Sequence, residues 1–112
     1  MLTLPEEQWD ALLDKADETI QKVISEFPDP VRKAAEEMPC MLDRYTPREG
    51  WHMLGIYMQW TNGPIIIYVG QIYEDCHQNM EEAMLSVKQV YLHELAHAIG
   101  NLAEYEVKER GL

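Results

Sequence analysis

Apolar residues recur at helical spacing over the first quarter of the chain. Trp9, Leu12, Leu13, Ala16, Ile20, Val23, Ile24 and Phe27 follow a 3.6-residue period and predict a helix from Thr3 to Phe27. Thr3 and Glu6 have capping-box spacing, Pro5 falls in the first turn, and Pro28 stops the helix. Asp29-Pro30 opens a second, shorter helix carrying Val31, Ala34, Ala35 and Met38, which stops before Pro39. The helical period then disappears. Cys40-Met41-Leu42 reads as a short strand, and Thr46-Pro47-Arg48-Glu49-Gly50 is turn chemistry. The aromatic-rich stretch from Trp51 to Trp60 predicts a strand, Asn62-Gly63 a tight turn, and Ile65 to Val69 a second strand, the two pairing as an antiparallel hairpin. Gly70 to His77 has no clear period and is read as a segment bending over the site. Asn79 to Ile99 is helical again, with Asn79 and Glu82 at its start and Gly100 as its left-handed C-terminal residue. Val87, Val90, Tyr91 and Ala98 define its inward side. Asn101 and Glu104 form a further cap-like pair opening a short final helix that ends near Gly111. The expected class is α+β: N-terminal helices, a small twisted, mainly antiparallel sheet, one long helix and a short C-terminal one.

Composition narrows this picture to a single domain, since 112 residues with 46% hydrophobic content support one modest core. No run of 18 apolar residues is present, so no membrane span is expected. The opening Met-Leu-Thr-Leu-Pro-Glu-Glu lacks the basic and apolar regions of a secretory signal, which points to a cytoplasmic protein. A net charge of −11 argues against nucleic acid as a partner, because phosphates need cations. No Lys or Arg occurs between Arg48 and Lys88. A cleft in that region would favour cationic or neutral stretches of a substrate, although a solvated acidic surface explains the same charge. Cys40 and Cys76 lack C-x-x-C spacing and read as buried free thiols rather than zinc ligands. Met38, Met41, Met53, Met58, Met80 and Met84 read as core gap-fillers.

The chemistry is concentrated in Tyr91-Leu92-His93-Glu94-Leu95-Ala96-His97-Ala98-Ile99-Gly100. His93 and His97 are four residues apart, so they stand on one helix face and their imidazoles can converge on one Zn²⁺ ion. Glu94 lies where it can act as general base on a water activated by that ion, and then as acid toward a leaving amine. Catalytic zinc keeps three protein ligands and one open position. Gly100 lets the chain turn back, and Glu104, at H-E-x-x-H-x-x-G-x-x-x-E, is the best-placed third ligand. Glu106 is the next candidate, followed by Glu109, His52, His77 and Asp75. Tyr105 could polarise a carbonyl, with Tyr91, Tyr68 and Tyr73 as rivals, packing being the ordinary role of each. His52 and His77 are isolated and read as structural or surface histidines. No G-x-x-x-x-G-K loop and no serine or cysteine nucleophile constellation is present.

The run from Val87 to Glu104 resembles the small bacterial zincin-like metallopeptidases, minimal single-domain zincins sometimes grouped with the minigluzincins. Lys33-Ala34-Ala35-Glu36-Glu37-Met38-Pro39 is similar to that family's helix ending in Leu-Pro. Met53-Leu54-Gly55-Ile56-Tyr57 looks like its L-L-G-x-Y strand, and Ile66-Ile67-Tyr68, with Ile72 and Cys76, like its strand before the active helix. The resemblance implies a minimal zincin-like fold with an edge strand lining the cleft. It also implies His93 and His97 as metal ligands, Glu94 as the catalytic glutamate, and a third ligand in the acidic cluster after the glycine. Family members commonly show Asp-Glu there, where this chain has Ala103-Glu104. Phage-type regulatory metallopeptidases share H-E-L-A-H but take their third carboxylate farther downstream than this sequence extends. The leading expectation is therefore a zinc-dependent metallopeptidase, a hydrolase acting on a peptide or protein substrate. The alternative is a catalytically silent zinc-binding regulatory or interaction protein that keeps the fold. A third reading is a helical interaction protein without metal.

Overall fold

The first helical period folds as α1, Glu6–Ser25, which buries Trp9, Leu12, Ala16, Ile20, Val23 and Ile24. The structure, a computed structural model, describes residues 1–47 and 49–100. The expected capping box is absent: Pro5 occupies the N-cap position and no side chain caps the helix. The chain before Pro5 is drawn elsewhere. Leu2 N donates to Tyr45 Oη at 2.8 Å, and the Met1 ammonium lies 3.5 Å from Glu74. α2, Asp29–Glu37, follows with Val31 and Ala35 buried.

Three strands form one mixed sheet in the order β1-β3-β2, from β1 (Cys40–Asp43), β2 (Gly55–Tyr57) and β3 (Ile65–Tyr68). β3 is central because it carries the most continuous apolar run, with Ile65 and Ile67 fully buried. β2 pairs with it antiparallel, as the hairpin expectation required, with Gly55 opposite Ile67 and Tyr57 opposite Ile65. β1 pairs with it in parallel, Cys40 opposite Ile65 and Leu42 opposite Ile67. The expectation of a mainly antiparallel sheet is thus corrected.

The predicted strand from Trp51 to Trp60 shrinks to Gly55–Tyr57, the residues in register with Ile67, Ile66 and Ile65 of the short β3. A 3₁₀ turn over Gln59–Thr61 follows. Asn62-Gly63 does not make a two-residue hairpin. Met58 N donates to Pro64 O (3.0 Å) and Gly63 N to Met58 O (2.9 Å), so residues 58–64 close a wider turn with Asn62 left-handed at its end. Val69 ends no strand. It begins α3, Val69–Asp75, which occupies most of the segment expected to bend over the site.

α4 spans Met80–Ile99, and Asn79 caps it as expected, its Oδ1 accepting from Glu82 N at 3.0 Å. Gly100 has the expected positive φ of 73°, but its ψ of −154° lies in a glycine-only region rather than the left-handed helical one. α4 packs against β2 and β3, α1 against β1, and the two helices against each other. Between them lie Leu12, Ala16, Ile20, Ile65, Ile67, Val87, Tyr91 and Leu95. Among the described residues, no helix is long and apolar enough to cross a membrane. Of the methionines expected to fill core gaps, Met84 is buried, whereas Met41, Met58 and Met80 are exposed. Both cysteines are free and half-buried.

Candidate metal centre on α4

The helical period of α4 decides which way each motif residue points. Val87, Tyr91, Leu92 and Leu95 are buried against α1 and the sheet. His93 and His97 are exposed, one turn apart, and their Nε2 atoms approach to 3.2 Å. Their rings meet edge to face, with centroids 4.6 Å apart at 85°. Two imidazole nitrogens this close either share one proton or face one cation. Tetrahedral zinc with Zn–N bonds of about 2.0–2.1 Å would hold two nitrogens roughly 3.3 Å apart. The observed separation fits that geometry.

Glu94 points inward instead. It is 8% exposed, the one buried charged residue among those described. Its Oε2 is buried without a hydrogen-bond partner among the described residues. One ligand atom from each of His93, Glu94 and His97 lies within 4.8 Å of the others. An orphaned carboxylate oxygen is costly to keep dry, and a donor from outside the protein would relieve it. The two imidazoles, together with the Glu94 carboxylate, make a donor set suited to zinc and a water.

A cleft of about 540 Å³ opens beside this set, lined by Gly55, Ile56, Tyr57, Gln59, Glu94 and His97. β2 comes this close to α4 because residue 55 is glycine. A Cβ there would stand 2.5 Å from Val90 Cγ1, 3.2 Å from Ile66 O and 3.6 Å from Glu94 Cγ. β2, at the edge of the sheet, borders this cleft. Gln59 and its 3₁₀ turn were not anticipated. Their only signal was the absence of charge between Glu49 and Glu74.

The structure brings together His93, Glu94 and His97, and among the described residues His52, His77 and Asp75 do not join that set. His52 Nε2 instead pairs with Asp75 Oδ2 at 2.7 Å. His77 is exposed, with φ 53°, in the turn before α4. Glu104, Glu106, Glu109 and Tyr105 lie outside the described residues, as does the predicted final helix. Tyr91 is fully buried, its hydroxyl has no hydrogen-bond partner among the described residues, and burial pushes its pKa up. It is a core residue rather than a cleft donor. No known family, curated protein or solved structure matches the chain.

Proposed function

We propose that the chain is a zinc-dependent peptidase with a minimal zincin-like fold. The observation that carries this reading is the pairing of His93 and His97 nitrogens at 3.2 Å beside the buried, partnerless Glu94 Oε2 on an open cleft. His93 and His97 would hold Zn²⁺, with Glu104 as the third protein ligand. Zinc, when bound, supplies Lewis acidity and makes water a nucleophile at neutral pH. Glu94 takes the proton of the attacking water on its carboxylate and passes it to the leaving amine. Gly55 leaves that carboxylate room under β2. The outer edge of β2 has no strand neighbour among the described residues, so an extended peptide can add there through main-chain hydrogen bonds.

Metal analysis of purified protein tests the first half. About one zinc per chain is expected, lost in His93→Ala and in Glu104→Ala. Retention in Glu104→Ala would move the third ligand elsewhere, and an absence of zinc in the unsubstituted protein would end the reading. For the second half, Glu94→Gln should keep zinc and abolish peptide cleavage. A zinc-loaded protein whose cleavage survives Glu94→Gln does not use this mechanism, and one that cleaves no peptide at all is the silent zinc protein.

A further inference from the structure

Trp60 is 99% exposed. Indole rings are ordinarily covered on most of their surface. This one sits in the 3₁₀ turn Gln59–Thr61, next to Gln59, which lines the cleft. The turn is pinned at several points. Gly63 N and Thr61 N both donate to Met58 O, and Tyr57 Oη donates to Asn62 Oδ1 at 3.0 Å. The ring is thus presented from an organised rim, one residue from the cleft wall.

The same molecule shows what such a ring accepts. Trp9 carries the Arg44 guanidinium over its face at 4.7 Å. Among the described residues no guanidinium or ammonium stands over Trp60, and the sequence has no Lys or Arg between residues 49 and 87. The chain as a whole carries 20 acidic against 9 basic side chains, so its field gathers cations and repels carboxylates. An open indole face in a stretch without Lys or Arg, on a chain of net charge −11, is complementary to a positively charged side chain.

We propose that Trp60, with Tyr57 and Gln59, is the recognition platform for a Lys or Arg side chain of an extended polypeptide lying along β2. The polypeptide occupant rests on the peptidase reading above, but the cation preference is read by binding alone and needs no cleavage. The probes are fluorescein-labelled peptides of Gly, Ser and Ala that differ only in a central Arg, Leu or Glu. They are titrated by anisotropy against zinc-loaded Glu94→Gln protein. The Arg peptide should bind roughly three- to fivefold tighter than the Leu peptide, the range of an exposed cation–π contact, with the Glu peptide weakest. Trp60→Ala should erase the Arg preference with an unchanged melting temperature, since the ring touches no core, and Trp60→Phe should restore part of it.

Equal or tighter binding of the Leu peptide, an Arg preference that survives Trp60→Ala, or no binding of any peptide would overturn the proposal. A His93→Ala protein, which lacks the metal but keeps the turn, should retain the ranking, and its loss there would also count against the platform. A ranking that stands in a protein without peptidase activity upholds the platform alone. A ranking that fails in an active peptidase removes the platform alone.

Discussion

At the scale of single residues, α4 places two polar atoms in the interior that have no partner among the described residues, Tyr91 Oη and Glu94 Oε2. They lie three residues apart on one helix, yet their settings differ. Tyr91 is sealed in the hydrophobic core, while Glu94 borders the cleft. The orphan hydroxyl is a packing compromise and the orphan carboxylate faces a place where chemistry can occur. The half-buried Cys40 also has a measurable consequence. Burial pushes its thiol from an ordinary value of 9.0 up to about 12, with Asp17 adding in the same direction. The unfolded chain releases this proton near pH 9 while the folded chain keeps it, so the native state binds more protons across that window. The contribution is whole below pH 9 and is lost as the pH rises toward about 12. Urea midpoints measured at about pH 8 and about pH 10 should therefore fall, and the fall should be smaller in Cys40→Ala. An identical fall in the variant would show that the Cys40 thiol is not the group responsible.

At the scale of elements, the approach of β2 to α4 rests on Gly55. Adding a methyl there forces it to within 2.5 Å of a stiff, β-branched Val90 and 3.2 Å from a backbone oxygen. Gly55→Ala should cost about 1–3 kcal/mol, the usual price of overpacking. Combining it with Val90→Ala should recover much of that loss, whereas Val90→Ala alone should destabilise. Simple additivity in this double-mutant cycle would mean that the Gly55–Val90 contact does not set the spacing.

The same elements show what the sequence makes legible. α1 and α4 could be read because each keeps a full helical period over 20 residues, and Asn79 is a cap whose partner lies three residues away. The His93, Glu94 and His97 grouping could be read because helix geometry alone joins them. α3 could not, because Val69 and Ile72 continue the apolar run of β3 and a short buried helix has no period to display. The parallel pairing of β1 is equally hidden. It depends on which strand wins the centre of the sheet, and that is settled by contacts between residues 25 positions apart, such as Cys40 with Ile65. The far wall of the cleft, Gly55 to Gln59, is likewise a tertiary product.

At the scale of the whole molecule, the candidate centre sits where two halves of the fold meet. His93 and His97 belong to the helix that packs on α1, α3 and both β2 and β3, while the opposite wall of the cleft belongs to the sheet edge. A ligand held there acts on the folded state only, since the unfolded chain does not hold the two imidazoles 3.2 Å apart. Linkage then converts occupancy into stability. Zinc at a free concentration one hundred times its dissociation constant should add about 2.7 kcal/mol. For a domain of this size, that should raise the melting temperature by roughly 10 °C or more. A strong chelator should remove the gain, and re-addition of zinc should restore it. His97→Ala should show no zinc-dependent shift, because one imidazole cannot reproduce the site. Trp60→Ala should show the full shift, because its ring is exposed at the rim and belongs to neither histidine of the pair. A melting temperature indifferent to both zinc and chelator would mean that the histidine pair holds no metal under those conditions. The peptidase reading would then fall with it, while the Trp60 platform would still stand on its own test.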